Sequence, residues 1–298
     1  MIEIKSLTKR YDKENVLSKL NCNIKENCIY GLVGANGSGK STLLRLINGI
    51  LIPDRGIIEI DGENTLDNEL IKQNMVFIPD DLFFYPSYTL MDMAKFYQAL
   101  YHNFDMEYLK KLASNLKLDL NGKLNSFSKG MKRQCALILA LSTKAKYMFF
   151  DETFDGIDPV IRNFFKKVIA KQMSQENTTI IMTSHNLREL EDICDNLGLL
   201  YDGGILFESD IDSLKTNMFK VQISLKEEFS ENNFSELDVL SFKKIGSIAT
   251  IIIKDETGTS KELLESMNPI ILDFLPLTLE EVFIYEMEAL GYEFEELL

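Results

Sequence analysis

The sequence contains few residues that bind soft metals or form disulfides. It has four cysteines and two histidines in 298 residues, and no two cysteines show the C-x-x-C spacing of a zinc or redox motif. Isolated cysteines of this kind are typical of free, mostly buried thiols in a reducing compartment. We therefore expect neither a zinc site nor a disulfide framework. The cysteines are Cys22, Cys28, Cys135 and Cys194.

Long apolar runs are also missing. Nowhere do 18 apolar residues stand together, and the first residues, MIEIKSLTKRYD, lack the apolar segment of a signal peptide. We expect that the chain neither crosses nor enters a membrane without a partner.

A surplus of basic residues, which a nucleic-acid binder needs to displace counterions from phosphates, is absent as well. The formal net charge is -14, and from Val221 onward 17 acidic residues face 5 basic ones. That segment carries -12, which leaves -2 for residues 1–220. Nucleic acid is therefore not expected as a partner.

What is present in the first half is an alternation of β-rich runs and helical patterns, which predicts a sheet covered by helices. CIYGLV (28–33), GIIEIDG (56–62) and MVFIP (75–79) are predicted strands. From about 88 to 146 the pattern becomes helical, which indicates a helical subdomain inserted before the strand YMFFD (147–151). TIIMTSH (179–185) then resumes the sheet.

Residues 196–209 are predicted to form a hairpin that turns at Asp202, Gly203 and Gly204, and the sequence pattern changes after it. Beyond Met218 come short apolar strands, a helix near KELLESM and a final acidic helix from Thr278. We predict two domains, an α/β domain over 1–215 and a small acidic α+β domain over 219–298. The second has no chemical motif, and both a dimer or regulatory contact and a merely stabilising appendage remain open for it.

The segment GANGSGKS (34–41) fits the phosphate-loop pattern G-x-x-x-x-G-K-[ST]. It follows a predicted strand and precedes STLLRLING (41–49), which has helical spacing. Glycines let backbone N–H groups approach phosphate oxygens, and the helix N-terminus adds a favourable dipole. In this pattern Lys40 reaches the β- and γ-phosphates and the Ser41 hydroxyl binds Mg²⁺. A glycine-rich turn with a chance lysine is the alternative.

The expected companion of a phosphate loop is a buried strand that ends in carboxylates. YMFFDE (147–152) has four apolar residues followed by Asp151 and Glu152. Asp151 would hold Mg²⁺ through water, and Glu152 would orient or deprotonate the attacking water. A solvated acidic strand end would have the same sequence pattern, so this motif indicates a catalytic site only together with the phosphate loop.

Three further segments occur in the order seen in one family. FSKGM (127–131) resembles the LSGGQ signature of ABC transporter ATP-binding subunits, GID (156–158) resembles their D-loop and TSH (183–185) their switch histidine. Tyr11 stands before Gly34 where the family stacks an aromatic ring on adenine. The resemblance covers about 1–215, and it implies an α/β P-loop NTPase fold with an inserted helical subdomain.

The resemblance also implies a mechanism. Two chains, a homodimer or a pair of related subunits, would hold two ATP molecules head to tail. Ser128 could cap the helix that follows it, and such a helix end would bind the γ-phosphate of the ATP on the opposite subunit. Hydrolysis would release this contact, and the helical subdomain would carry the motion to a membrane partner.

Together, the motifs and the resemblance assign the site residues as follows. Nucleotide contacts fall to Tyr11, Gly34, Asn36, Gly37, Ser38, Gly39, Lys40, Ser41 and Thr42, and catalysis to Glu152 and His185. Contacts to the opposite subunit's ATP fall to Ser128, Gly130 and Asp158, and Mg²⁺ to Ser41, Asp151 and Asp80.

Four positions depart from the family pattern. Asp80 stands where the family has the glutamine of its Q-loop, Lys129 replaces a glycine and Met131 a glutamine of the signature, and Thr153 replaces a proline after the catalytic glutamate. A shorter, charged side chain at 80 puts metal binding by this loop in question. Lys129 adds positive charge near the nucleotide.

The resulting hypothesis is an ATPase subunit on the cytoplasmic face of the cell membrane, bound to a separate polytopic subunit. The divergent loops are similar to those of bacterial export-type systems, which suggests an exporter of drugs, amphipathic peptides or other hydrophobic compounds. Two alternatives remain, a soluble ABC-type ATPase acting on ribosomes or DNA, and an ATP-sensing regulatory module. A single phosphate loop, net acidity and the lack of a heptad run argue against the first, and Glu152 with His185 against the second.

Overall fold

The chain forms two compact units, residues 1–208 and 209–298. The computed structural model describes residues 1–12, 14–66, 68–191, 193–211, 218–255, 258–275 and 277–289. The domain boundary predicted between 215 and 219 adjoins residues 212–217, which lie outside this set, so the boundary stays a prediction. Strands and helices are numbered along the chain.

One sheet of the first unit is antiparallel, with the order β2-β1-β4-β5. The long strands β1 and β2 alternate between buried and exposed side chains over much of their length, as a sheet with one solvated face does. The strands are β1 (Ile2–Tyr11), β2 (Glu14–Ile24), β4 (Arg55–Ile60) and β5 (Glu63–Asn64).

The other sheet of this unit has six strands in the order β10-β9-β3-β8-β7-β6, and the five strands from β9 to β6 pair in parallel. These strands are β3 (Ile29–Val33), β6 (Met75–Ile78), β7 (Tyr147–Asp151), β8 (Thr179–Thr183), β9 (Asn196–Tyr201) and β10 (Gly204–Asp210). Every residue of β3, β7 and β8 is buried, as expected for central parallel strands. Their carboxyl ends meet at one edge, where ligands of such sheets bind.

Three helices lie between β6 and β7 and form the helical subdomain. The side chains of Thr89, Asp105 and Ser128 cap them, each accepting a hydrogen bond from a backbone N–H three residues later. The helix that Ser128 starts packs on the other two and on β6, and it is buried from Cys135 to Ser142. These helices are α3 (Leu90–Leu100), α4 (Met106–Asn115) and α5 (Lys129–Ser142).

The remaining helices of the first unit flank its sheets. They are α1 (Lys40–Ile47), α2 (Glu69–Lys72), α6 (Pro159–Gln175) and α7 (Leu187–Glu191). Asp158 caps α6, which begins with Pro159 at its first position, where a missing N–H costs nothing.

In its described residues, the second unit contains an antiparallel sheet and two α-helices. The strand order is β12-β13-β11-β14, and the core is formed by buried side chains such as Val221, Phe234 and Ile251. Its elements are β11 (Met218–Ser224), β12 (Asp238–Ile245), β13 (Ile248–Lys254), α8 (Ser260–Ser266), β14 (Ile271–Leu275) and α9 (Leu279–Ala289).

Two expectations about the chain as a whole can be checked directly. All four cysteines are free and buried, which confirms the prediction of buried thiols. No helix formed by the described residues has the length and apolarity that a membrane span requires.

Candidate active site

The phosphate loop joins the end of β3 to the start of α1. Two of its glycines have left-handed backbone conformations, with φ of 84° at Gly37 and 106° at Gly39. A side chain on Gly37 would meet no atom within 4 Å, whereas one on Gly39 would lie 3.0 Å from Leu17. The loop therefore needs glycine for its shape, and at Gly37 its outer side is open to a phosphate.

Lys40 lies folded against this loop. Only 4% of its surface is exposed, and its Nζ donates to the carbonyl oxygens of Gly34 at 2.6 Å and Ala35 at 2.9 Å. Burial lowers the pKa of Lys40, and the charges of Glu152 and two neighbouring carboxylates oppose that effect. The ammonium group is thus held at the loop, among carboxylates, where a phosphate would meet it.

Two of the residues predicted to bind Mg²⁺, Ser41 and Asp151, are in contact. Ser41 Oγ donates to Asp151 Oδ1 at 3.0 Å, and Thr183 Oγ1 donates to the same oxygen at 2.8 Å. The second carboxylate oxygen, Oδ2, is buried and has no hydrogen-bond partner among the described residues. A buried carboxylate with a free oxygen beside a hydroxyl matches the oxygen donors that Mg²⁺ prefers. Ser41 and Asp151 therefore fit the ion, with Asp151 acting directly or through a water.

Glu152 follows in an unusual backbone conformation. Its φ is 45°, which is left-handed and uncommon for a residue with a side chain, and its N–H donates to Thr183 Oγ1 at 3.0 Å. Backbone of this kind costs on the order of 1–3 kcal/mol and is retained where function requires the orientation. Next to it, the Thr153 hydroxyl donates to the Asp151 carbonyl.

His185 lies beside two carboxylates. Its Nδ1 is 3.2 Å from Asp155 Oδ2 and 3.8 Å from Glu152 Oε2, and single side-chain atoms of these three residues lie within 4.8 Å of one another. The structure thus brings the predicted base and the predicted switch histidine together, and it adds Asp155.

Asp155 is partly buried next to another acid. Burial, together with a hydrogen bond and the charge of Glu189, raises the pKa of Asp155 to about 7, while His185 acts in the opposite direction. Glu189 is bonded in turn to Arg162 at 2.7 Å and accepts from Ser184 at 3.1 Å. A proton on Asp155 would form a hydrogen bond between the carboxyl groups of Asp155 and Glu189.

The signature segment presents a capped helix end. Ser128 Oγ accepts from Met131 N at 3.2 Å, and Ser128 and Lys129 are exposed. A side chain built on Gly130 would lie 3.8 Å from the Gly156 carbonyl oxygen, so this helix end approaches the D-loop of the same chain. The exposed N–H groups remain accessible to an anion.

The other predicted contacts are arranged as follows. Tyr11 ends β1 and is 44% exposed, with the Lys9 ammonium 5.9 Å from its ring centre. Asn36 is exposed and Thr42 is half-buried. Ser38 Oγ is buried and has no hydrogen-bond partner in the part of the chain that the structure describes. Asp80 Oδ1 accepts from Arg133 Nη2 at 2.6 Å.

Sequence reasoning missed Thr183 and Arg133 as site residues. The signal for Thr183 was available, since parallel strands β7 and β8 place it directly beside Asp151. Arg133 gave no signal, because a basic residue after a signature looks like any solvated helix residue.

The chain is similar to known proteins over most of its length. The family described as ABC transporter matches residues 17–155. The chain is similar to the ABC transporter ATP-binding protein YtrB of Bacillus subtilis, with 32% identity over 95% of this chain and 97% of that one. It is also similar to the bacitracin transport ATP-binding protein BcrA of Bacillus licheniformis, with 32% identity over 72% of this chain and 71% of that one.

Among solved structures, an ATP-binding subunit of an ABC transporter is 26% identical, with a TM-score of 0.67 over 72% of this chain and 92% of the other. The expected fold class, an α/β P-loop ATPase with a helical subdomain, is confirmed. By its phosphate loop, its fold and its likeness to YtrB over nearly the whole of both chains, this chain belongs to the ATP-hydrolysing, ATP-binding subunits of ABC transporters.

Proposed function

We propose that this ATPase powers an exporter of drugs, amphipathic peptides or other hydrophobic compounds. ATP hydrolysis is supported by one observation. The side chains of Ser41, Asp151, Glu152 and His185 lie close together at one edge of the parallel sheet. The exporter half is supported by the likeness to a bacitracin transport subunit over most of both chains. The substrate itself would be selected in the membrane subunit.

The proposed chemistry assigns one task to each group. Lys40 and the loop N–H groups bind the β- and γ-phosphates, and Ser41 with Asp151 holds Mg²⁺, which neutralises charge on the phosphates. Glu152 orients or deprotonates the attacking water, and His185 contacts the γ-phosphate and that water.

We place the working unit in a dimer that binds ATP between its members. Ser128 and Gly130 of one chain would face the γ-phosphate of ATP bound to the other, and Asp158 would lie at the same contact. The exposed, capped N-terminus of α5 supports this arrangement, because an anion compensates its unpaired N–H groups.

A patch of exposed aromatic side chains provides a surface for the membrane partner. Phe83 is 74% exposed, its ring centre is 5.7 Å from that of Tyr85, and Tyr85 also contacts Phe96 on α3 at 6.1 Å. Large exposed apolar patches mark interaction sites. We propose that a cytoplasmic helix of a polytopic membrane subunit covers these rings, which would attach the chain to the cytoplasmic face of the membrane.

The test is recovery of partners with the tagged full chain from solubilised membranes. A polytopic protein should co-purify with the wild type and be lost with Phe83→Ser/Phe96→Ser, while ATP hydrolysis by the purified chain persists. Ile245→Ser is the matched control, because Ile245 is also 74% exposed but lies in the second unit. Recovery of ribosomes or DNA instead would favour the soluble ATPase.

A further inference from the structure

The Arg133 side chain connects two segments that the sequence motifs treat separately. It lies on α5, five residues after Ser128, and is 4% exposed. One guanidinium nitrogen, Nη2, donates to Asp80 Oδ1 at 2.6 Å, and the other, Nη1, donates to the main-chain carbonyl of Asp155. Asp80 follows β6, and Asp155 lies three residues after Glu152.

A guanidinium is suited to this position. Its planar fork of donors reaches two acceptors at fixed angles, and it keeps its charge when buried. Such a charge needs a counter-ion, which Asp80 supplies from a side chain that is half exposed. The residue that departs from the family's glutamine therefore has a partner on the signature helix.

The contact reaches the catalytic cluster through Asp155. The carboxylate of that residue is 3.2 Å from His185 Nδ1, while its carbonyl accepts from Arg133. A second approach between the same segments, Gly130 toward the Gly156 carbonyl, lies one turn earlier on α5. The position of α5 and the position of the loop after Glu152 are thus linked by direct contacts.

We propose that Arg133 is a positioning residue for ATP hydrolysis, and that Asp80 serves as its counter-ion rather than as a ligand of Mg²⁺. Bound to both segments, Arg133 holds the loop that carries Glu152 and Asp155 in a fixed place relative to the helical subdomain. A movement of α5 then shifts this loop. The inference rests on the proposed role of Glu152.

The experiment compares kinetic and metal-binding effects in the purified full chain. The variants are Arg133→Gln, Arg133→Lys, Asp80→Asn and the double variant Asp80→Asn/Arg133→Gln, with Lys132→Gln as a control that removes the same charge one residue away. Each is measured for equilibrium ATP binding, kcat, KM for ATP and the Mg²⁺ concentration at half-maximal rate.

We expect Arg133→Gln to lower kcat by about 10- to 100-fold, the loss that follows from misplacing a catalytic group by about 1 Å. KM for ATP and ATP binding should stay within about twofold, because the phosphate loop is untouched. Arg133→Lys should restore part of kcat. Asp80→Asn should lower kcat without moving the Mg²⁺ midpoint, and the double variant should be no slower than Arg133→Gln.

Independent, multiplying effects of the two single variants on kcat would overturn the proposal, as would an unchanged kcat in Arg133→Gln or a raised Mg²⁺ midpoint in Asp80→Asn. If Arg133→Gln does not fold, the kcat and the Mg²⁺ midpoint of Asp80→Asn still test the proposal. Failure of the proposed function itself would show separately, as hydrolysis that continues in a Glu152→Gln variant.

Discussion

Ser41 and Asp151, 110 positions apart in the chain, are joined by a 3.0 Å hydrogen bond from the Ser41 hydroxyl to Asp151 Oδ1. Ser41 lies in the first turn of α1, which follows β3, and Asp151 ends β7. Both strands pair in parallel with β8, so their carboxyl ends come together at the same edge. This one contact joins the phosphate loop to the catalytic strand and marks where Mg²⁺ would bind.

Replacing Thr183 by valine should weaken Mg²⁺ binding. The Thr183 hydroxyl donates to Asp151 Oδ1 and accepts from Glu152 N–H. It therefore orients the Asp151 carboxylate, which is proposed to hold Mg²⁺. Loss of such a supporting hydrogen bond typically costs about 10- to 100-fold in metal affinity or activity. A Mg²⁺ titration of the ATPase rate measures the shift.

The matched control for that experiment is Thr179→Val at the other end of β8. Thr179 Oγ1 accepts from Asn27 N–H at 2.9 Å, four residues before Thr183. An equal rise of the Mg²⁺ midpoint in both variants would show that Thr183 acts only through the stability of the strand.

Glu152→Gln should separate binding from hydrolysis. Glutamine keeps the size of the side chain but cannot take a proton, so turnover should fall by about 10²–10⁴-fold, the usual contribution of a general base. ATP binding should persist, and dimers should accumulate because the bound γ-phosphate is not released. Single-turnover hydrolysis and size-exclusion chromatography with ATP measure the two effects, and near-normal turnover would contradict the assignment.

Much of this site is local in sequence, which is why the motifs predicted it. A glycine loop, a strand ending in Asp151-Glu152 and a strand ending before His185 each follow from a short pattern, and parallel pairing brings them together. The Arg133–Asp80 pair could not be predicted, since it depends on how α5 packs against β6. The same is true of Asp155 and Glu189, whose contact joins the loop after β7 to helix α7.

The fold also contains elements that local sequence patterns predicted and elements that they did not. The buried strands were predicted from continuous apolar runs, whereas β1 and β2 were not, because their polar outer faces break the pattern. Tyr11 ends β1 and pairs with Glu14 of β2.

Tyr11→Ala tests the proposed adenine contact. An exposed ring that stacks on a base contributes about 1–3 kcal/mol, so ATP affinity should fall between several-fold and about 100-fold. Tyr85→Ala is the control, because Tyr85 is similarly exposed, at 43%, and lies in the aromatic patch. Fluorescent-nucleotide titration measures the affinities, and equal values for Tyr11→Ala and wild type would remove Tyr11 from the site.

Stability should depend on pH through Asp155. Burial beside Glu189 raises the pKa of Asp155 from 3.8 to about 7 in the folded chain. Between about pH 4 and 7 the folded state therefore binds more protons than the unfolded state, and the free energy of unfolding falls as the pH rises. The contribution is complete below pH 4 and is lost as the pH passes 7.

Asp155→Asn should flatten this part of the stability profile, because asparagine has the same size and does not titrate. Denaturant unfolding at several pH values between 5 and 8 measures it, with Asp119→Asn on an exposed turn as the control. If Asp155→Asn leaves the slope between pH 5 and 7 as steep as in the wild type, the proton is not on Asp155.

Ser128→Ala should prevent ATP-driven dimer formation while leaving ATP binding to the single chain intact. Its hydroxyl caps α5 by accepting from Met131 N–H, and losing a cap costs about 1 kcal/mol of helix stability, too little to unfold the domain. The larger effect should be on the dimer, because the proposed γ-phosphate site lies at this helix end. In a Glu152→Gln background, the ATP concentration needed for dimerisation should rise, as light scattering can measure. Ser126→Ala is the control, because it removes a neighbouring hydroxyl that donates to the Lys123 carbonyl. Dimers that form as readily in Ser128→Ala as in Ser126→Ala would place the γ-phosphate elsewhere.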